Sequence, residues 1–246
     1  MKGLIFRELY LGKNNTLVVL CISFVMGIIG ILVRLSMKIG NLTMLPEETL
    51  AEIDLSTYLI FSLTICTMLL MCNSMVAEVA GYDHRSKWMN FQYSAPINEE
   101  KYVFVKYLVM LATTAAAFVP SLINAVIIGA LSNRPLDFGI ISVITVIACF
   151  TIIFTVFQTA LIYLFHSVEK AMYVFISLVI AAFLILGINI AEIKDLYEHE
   201  VDILRYLTDI MFSFCEKYML AAVIAAVVFI IAGYFLTVAF MKRRLK

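Results

Sequence analysis

Long runs of apolar residues, separated by short polar segments, dominate the pattern of this chain. A helix rises about 1.5 Å per residue, so about 20 apolar residues cross the hydrocarbon layer of a membrane. The runs lack the strict alternation of barrel strands and are too long for them, which favours helices. The six predicted transmembrane helices cover residues 17–33, 55–77, 102–131, 138–165, 171–190 and 219–241. We therefore predict an all-α, polytopic membrane protein in which residues 1–246 form one transmembrane domain.

The polar segments predict further helices outside the spans. In residues 1–15 one helical face is apolar and the opposite face carries Arg7 and Glu8; the apolar face consists of Ile5, Phe6 and Leu9. This pattern is typical of a helix that lies among the lipid headgroups, and an irregular tail is the alternative. Residues 191–217 have the spacing of a second amphipathic helix, between spans five and six. It would lie on the membrane surface or cap the bundle, or serve packing alone.

The composition agrees with a membrane protein. Hydrophobic residues make up 63% of the chain and charged residues 15%. A soluble domain has roughly 45–50% apolar and about 25% charged residues, so this chain has too few charges to cover a surface in water. An ordinary soluble enzyme, a disordered tail and a secreted disulfide scaffold are thereby excluded. With 18 basic and 18 acidic residues, nothing favours a nucleic-acid partner.

The distribution of basic residues predicts which side of the membrane is cytoplasmic. Six spans place both termini on one side. Twelve of the 18 lysine and arginine residues fall on that side and six on the other. Because cytoplasmic loops are rich in lysine and arginine, we predict that both termini are cytoplasmic and that residues 191–217 are extracellular.

The sequence lacks the motifs of a catalytic or metal site. The five cysteines contain no CxxC pair, and the histidines fall in three different loops or loop edges. The patterns HExxH, GxSxG and GxxxxGK[ST] do not occur. No carboxylate lies at the centre of a predicted span, which argues against a proton relay. We expect a non-enzymatic chain without a metal or cofactor, and one that does not hydrolyse ATP by itself.

The longest predicted cytosolic segment, the inner loop (residues 78–100), carries the strongest functional signal. It mixes both charge signs with four aromatic residues, Tyr82, Trp88, Phe91 and Tyr93. Trp88 and Phe91 are three residues apart and would lie side by side on a helix. Trp, Tyr and Arg favour protein interfaces, while Trp and Tyr also favour the membrane–water boundary. The inner loop is therefore either a docking surface for a cytosolic protein or an aromatic membrane anchor.

The end of the inner loop predicts a helix boundary. Pro96 stops any helix that precedes it. Asn98 can then cap the next helix, with Glu99 and Glu100 in its first turn near the positive end of the helix dipole.

In layout and in this loop the chain resembles the ABC-2 type permeases. The family pattern is an acidic residue ending span two, a coupling helix, a small residue–Pro–aliphatic–polar turn and a lysine opening span three. The matching positions are Glu78, Gly81, Ala95, Pro96, Ile97, Asn98 and Lys106. The resemblance implies two permease subunits, identical or sister chains, and two cytosolic ATPase subunits that bind ATP and Mg. It also implies that the loop couples to the ATPase through Glu78, Gly81, Tyr82, Arg85, Trp88, Phe91 and Pro96.

Among these permeases, the chain is most similar to small Firmicutes members of this size that export amphipathic antimicrobial peptides or phenol-soluble modulins. That resemblance implies the cytoplasmic membrane of a Gram-positive bacterium and an amphipathic peptide or other hydrophobic substrate, with lipid around the spans. An immunity or sensor protein that binds a toxic peptide without moving it is an alternative. A secondary transporter is another, although the midplane charges typical of one are missing. An intramembrane enzyme would need a convergent catalytic set within the spans, and the sequence contains none.

Overall fold

The structure, a computed structural model, describes residues 2–39, 78–83, 86, 88, 98–131, 138–165, 167–187 and 203–243. It contains five long helices: α1 Lys2–Ile39, α2 Glu99–Leu131, α3 Phe138–Phe165, α4 Val168–Gly187 and α5 Ile203–Arg243. Residues 78–83 are also helical. These described parts of the chain contain no strand, in agreement with the predicted all-α class.

Helices α2 and α3 form the centre of the bundle. Helix α3 packs most extensively against α5 and also contacts α2 and α4, while α2 contacts α1 and α5. The most deeply buried large side chains lie mainly on the two central helices; they include Tyr102, Lys106 and Met110 on α2, and Ile144, Ile162 and Tyr163 on α3. By contrast, α1 and α5 expose many large apolar side chains, such as Phe24 and Leu220. An apolar outer surface of this kind is suited to lipid.

Three of the described helical segments are long and apolar enough to cross a membrane, judged by length and composition. They are Glu99–Val126, Gly139–Phe165 and Phe212–Arg243, which correspond to the predicted spans three, four and six. The predicted spans 17–33 and 171–190 lie on α1 and α4, although α4 ends at Gly187. As membrane crossings these two stay predictions, and the predicted span 55–77 lies outside the described residues.

Two helices are longer than the elements predicted from the sequence. Helix α1 is continuous from Lys2 to Ile39, so the predicted interfacial helix (1–15) and the first span form one element. Helix α5 is continuous from Ile203 to Arg243, so the latter part of the predicted extracellular helix (191–217) runs into the sixth span. Polar residues end an apolar run without ending a helix, and neither helix contains a proline to break it. At 1.5 Å per residue each is about 60 Å long, well beyond the ~30 Å hydrocarbon layer.

The start of α2 has the predicted cap. The side-chain oxygen of Asn98 accepts a hydrogen bond of 2.9 Å from the backbone N–H of Glu100. Glu99 and Glu100 occupy the first turn, and Pro120 lies inside the helix. The cap thus marks the beginning of α2.

Candidate functional site

Among the described residues, charged side chains pack against each other at one end of the bundle. The first turns of α1, the helical residues 78–83, the start of α2 and the end of α3 meet there, as the contacts described below establish. The end of α5 joins them, because Lys242 Nζ lies 2.5 Å from Glu100 Oε1. The first turns of α1, the end of α5 and the described residues 78–83 of the inner loop therefore lie at the same end of the bundle.

The centre of this end is a ring of four alternating charges, which we call the charge ring: Arg7, Glu8, Lys106 and Asp83. Arg7 donates to Glu8 Oε1 at 3.0 Å and also to Asp83 Oδ1. Lys106 Nζ lies 3.1 Å from Glu8 Oε2 and 2.8 Å from Asp83 Oδ2. Each carboxylate thus bridges both cations through its two different oxygens. The ring joins α1, the inner loop and α2.

Three members of the charge ring are withdrawn from solvent, while the Arg7 side chain is 23% exposed. The relative exposure of Glu8 is 3%, that of Asp83 0% and that of Lys106 1%. Removing single charges from water costs several kcal/mol each, unless partners of opposite sign and hydrogen bonds replace the water. Here two positive and two negative groups balance, and each carboxylate accepts from two cations. The burial is therefore tolerated only while all four groups are present together.

Two aromatic residues complete the surroundings of the ring. The Tyr102 hydroxyl donates a hydrogen bond to Asp83 Oδ2. The Arg7 guanidinium lies over the Trp88 ring, 4.1 Å from its centroid, which is close enough for a cation–π interaction. Trp88 also packs against the buried apolar cluster that contains Tyr102 and Tyr163. Trp88, one of the four aromatic residues of the inner loop, therefore contacts the charge ring through Arg7.

The charge ring favours the charged forms of the Asp83 carboxylate and the Arg7 guanidinium. Burial alone would raise the pKa of Asp83, but the charge of Lys106 and the hydrogen bonds from Arg7, Lys106 and Tyr102 outweigh it, and the pKa lies below its ordinary value. Burial would likewise lower the pKa of Arg7, but Asp83 and Glu8 outweigh it and the pKa is raised. Both shifts favour the ion pairs.

The short helix of residues 78–83 also packs against other parts of the bundle. Ala80 is buried in a cluster with Leu161 and Ile162 at the end of α3 and Ala171 at the start of α4. The short helix therefore lies between the α1–α2 pair, which it meets through ion pairs, and the α3–α4 junction, where Phe157 and Phe175 also pack against the apolar cluster.

The structure places the predicted coupling residues in different settings. Glu78 and Tyr82 are exposed, Gly81 is buried and Trp88 is partly buried. Ser86 is also exposed, and its backbone N–H and its hydroxyl both donate to the carbonyl oxygen of Tyr82, at 2.9 and 2.7 Å. Positions 78, 82 and 86 are four residues apart and form one outward stripe. The other predicted coupling residues, Arg85, Phe91 and Pro96, lie outside the described residues.

Sequence reasoning missed three of the four ring members. The pattern of residues 1–15 places Arg7 and Glu8 on the polar, outward side of an interfacial helix, and no sequence pattern indicates a role for Asp83. In the structure the polar side of α1 packs into the bundle, while Phe6 is 72% exposed. Lys106 was singled out only through the family pattern. The available signal was the presence of charged residues next to apolar runs, where solvent is scarce.

The described residues contain no group of three or more His, Cys, Asp or Glu side chains that could hold a metal ion. Within them, the charge ring is an arrangement of paired ions rather than of free ligands. Its chemistry suits mechanical linkage between elements.

Comparison with known proteins gives one finding. Residues 3–242 match the family model described as "ABC-2 family transporter protein", which covers nearly the whole chain. Searches of curated proteins and of solved structures found no match.

Proposed function

The chain belongs to the ABC-2 family of transporter proteins, and we propose that it exports amphipathic peptides when its inner loop docks on a separate ATPase. The family makes it a multi-pass membrane permease of an ABC exporter, without a cofactor of its own, and members of the family are typically non-catalytic. Membership also implies a cytosolic ABC ATPase as partner. The site of docking, the assembly and the substrate form the proposal.

The proposed docking site rests on the difference in burial between the two sides of residues 78–83 and Ser86. Asp83 is fully buried in the charge ring, while the outward stripe of Glu78, Tyr82 and Ser86 is exposed. Tyr82 is 46% exposed, and tyrosine is enriched at protein interface hot spots. A segment fixed to the bundle on one side and open on the other suits a partner that pushes on it.

The assembly follows from the resemblance to ABC-2 permeases. We propose that two permease copies, or this chain and a sister chain, join two ATPase subunits that bind ATP and Mg. The termini and the inner loop face the cytoplasm, and the complex lies in the cytoplasmic membrane of a Gram-positive bacterium. ATP-driven closure of the ATPase pair then shifts the balance between two arrangements of the helices.

The substrate proposal is an amphipathic peptide of the antimicrobial or phenol-soluble modulin kind. It rests on the likeness to small Firmicutes permeases, and the apolar side chains on the helix surfaces suit such a substrate. Those side chains also suit lipid, so transport has to be measured directly. The test is ATP-dependent movement of a fluorescent amphipathic helical peptide by vesicles that contain the permease and its ATPase.

The docking site is tested by substitution at the inner loop. The affinity-tagged chain is purified from its native membrane, and a co-purifying ATPase with the phosphate-loop motif is identified by mass spectrometry. Tyr82→Ala and the double variant Trp88→Ala/Phe91→Ala should insert normally but lose binding to this ATPase or stimulation of its hydrolysis. Tyr173→Ala is the matched control, because Tyr173 is also a highly exposed tyrosine, at 73%, but lies on α4.

Normal binding and stimulation by the Trp88→Ala/Phe91→Ala protein would show that the inner loop does not couple to the ATPase. Peptide transport by the permease in vesicles without any ATPase would contradict the whole proposal.

A further inference from the structure

The first turns of α1 present a face to the outside of the bundle that is both aromatic and basic. This α1 outer face consists of Lys2, Phe6, Tyr10 and Lys13, all of which are exposed. The rings of Phe6 and Tyr10 are stacked, with their centroids 6.3 Å apart. Lys13 Nζ lies 4.0 Å from the centroid of the Tyr10 ring, within the range of a cation–π interaction. Three of the four side chains thus form one connected surface, and Lys2 lies one helical turn before Phe6 on the same face.

The α1 outer face lies at the depth where the bundle enters the membrane. On the other side of these turns, Leu4 and Ile5 pack against two buried valines near the start of α2, and the candidate span of α2 begins at its first residue. After Lys13 the sequence has no charged residue before Arg34, and the exposed side chains of α1 are mostly large and apolar. Lysine and tyrosine at such a boundary are typical of the headgroup layer. This depth favours contact between the α1 outer face and lipid headgroups.

The two lysines of the α1 outer face have no acidic partner in the part of the chain that the structure describes. Glu8 is the only acidic residue of α1, and it is bound by Arg7 and Lys106 in the charge ring. Neither Lys2 nor Lys13 forms an ion pair with a described residue. The exposed side of these turns is therefore positively charged, and its charge is complementary to an anion.

The Tyr10 ring positions the ammonium group of Lys13. Helical side chains tilt towards the N-terminus of their helix, so Lys13 reaches back over Tyr10 and away from the hydrocarbon layer. The ring covers one side of the ammonium group. Because this group has three N–H donors, the donors that point away from the ring can bind phosphate oxygens.

We propose that the α1 outer face binds the headgroup of an anionic phospholipid, in the leaflet at the charge-ring end of the bundle. Lys2 and Lys13 bind the phosphate oxygens, and the rings of Phe6 and Tyr10 lie against the glycerol and the start of the acyl chains. A basic side chain near the surface is attracted to an anionic lipid, whereas a zwitterionic headgroup has no net charge to attract it. This lipid binding does not depend on the proposed ATPase docking or on the peptide substrate.

The test measures the lipid composition beside α1 in the chain alone. In a cysteine-free background, a fluorophore is attached at Gly3→Cys, an exposed position in the first turn, and the chain is placed in vesicles of phosphatidylcholine and phosphatidylglycerol. One of the two lipids at a time carries a quenching nitroxide on its acyl chain, near the glycerol. Phosphatidylglycerol, the anionic probe, should quench more strongly than phosphatidylcholine at the same mole fraction. Equal quenching by the two lipids, or none by either, would overturn the proposal.

Substitutions on the α1 outer face should change this preference selectively. At low salt, Lys2→Gln and Lys13→Gln should each lower the preference for phosphatidylglycerol about fivefold, which corresponds to about 1 kcal/mol per basic residue. Lys2→Arg/Lys13→Arg should retain it, because the charge is kept. Lys101→Gln is the matched control, since Lys101 is exposed at the start of α2 but follows Glu99 and Glu100. A wild-type preference in Lys2→Gln/Lys13→Gln, or an equal loss in Lys101→Gln, would overturn the proposal.

Two further variants test the role of the aromatic ring. Tyr10→Leu removes the ring beneath Lys13 but keeps an apolar side chain, so it should lower the preference for phosphatidylglycerol. Tyr10→Phe keeps the ring and should have the wild-type preference. If Tyr10→Leu also has the wild-type preference, the ring does not position Lys13.

The ATPase is the alternative occupant of the α1 outer face, and the same variants distinguish it from lipid. If Lys2→Gln/Lys13→Gln keeps the wild-type lipid preference but no longer binds the co-purified ATPase, the face is a docking surface for that protein and the lipid proposal is wrong. Normal ATPase binding together with a lost lipid preference is the expected result.

Discussion

Asp83 has the densest set of charged and polar partners in the charge ring. Its two oxygens accept from Arg7, from Lys106 and from the Tyr102 hydroxyl, on two different helices. Glu8 has a similar but smaller role, since it bridges Arg7 and Lys106 only. Because these residues are buried, the energetic effect of changing one of them depends on which charges remain, and this makes their substitutions non-additive.

We predict that removing one charge from the ring destabilises the chain more than removing two of opposite sign. Lys106→Met leaves Arg7 as the one cation of the ring for both carboxylates, and breaking a buried pair in this way costs about 3–5 kcal/mol. Glu8→Gln/Lys106→Met keeps the ring neutral and should cost less than the sum of the two single changes. Unfolding in detergent, followed by circular dichroism, measures both.

The control for this comparison of single and double variants is Lys242→Met. Lys242 pairs with Glu100 at 2.5 Å, but both side chains are half exposed, and exposed pairs contribute little. Its unfolding midpoint should match that of the wild type. If the destabilisation of Glu8→Gln/Lys106→Met equals the sum of those of the two single variants, the result contradicts a charge ring shared by Glu8 and Lys106.

The pKa of Asp83 predicts a pH dependence of stability. Its folded-state pKa lies below the ordinary value of 3.8, so its ion pairs contribute fully above that pH and are lost as the pH falls through the lower folded-state value. The difference in unfolding midpoint between wild type and Asp83→Asn should therefore be constant from neutral pH to just above 3.8 and shrink below it. A difference that already shrinks between pH 7 and 5 would contradict the lowered pKa.

At the scale of helices, features set by neighbouring residues were predictable, and features set by distant ones were not. The Asn98 cap depends on the next two residues, and the pattern identified it. The apolar runs likewise identified α2 and α3. The Glu8–Lys106 pair joins residues 98 positions apart, so only the packing of α1 on α2 creates it. The sequence does not predict the continuity of α1 and α5, because the hydropathy pattern indicates where the surroundings of a helix change and not where the helix ends.

The crossing of α5 over α3 gives a prediction at this scale. A Cβ added to Gly233 would lie 2.2 Å from Val156 Cγ1 and 2.9 Å from Tyr107 Oη. Valine is stiff about χ1, so the helices would have to separate. Gly233→Ala should therefore destabilise the bundle by about 1–3 kcal/mol and weaken the 3.2 Å hydrogen bond between Tyr107 and Thr237. Detergent unfolding of the purified variant measures the change.

Two other glycines serve as controls. At Gly27 the nearest atom to an added Cβ is the end of the Asn124 side chain, at 2.7 Å, and a flexible end can move aside. At Gly3 nothing lies within 4 Å. Gly27→Ala should have a smaller effect than Gly233→Ala, and Gly3→Ala should have none. Equal effects at Gly233 and Gly3 would contradict the close crossing.

At the scale of the whole molecule, the described helices show which segments lie at the same end of the bundle. Gly139 at the start of α3 approaches Phe212 and Glu216 of α5, while Tyr163 near the end of α3 packs in the cluster beside the charge ring. Twenty-four residues of helix separate these two α3 positions, or about 36 Å. The first turns of α1 and the described residues 78–83 are therefore about one hydrocarbon thickness away from residue 213. This separation is independent of which end faces the cytoplasm.

The orientation follows if the positive-inside rule applies, because the end with the charge ring also carries Lys2, Lys13, Lys101 and Arg243. We predict that a membrane-impermeant thiol reagent labels Ser213→Cys in intact cells. Gly3→Cys and Ser86→Cys, in the same cysteine-free background, should react only after the membrane is permeabilised. All three positions are exposed, so a lack of reaction reflects the side of the membrane rather than burial. The reverse pattern would place the inner loop outside, where no cytosolic ATPase could reach Tyr82, and the proposed coupling would fail with it.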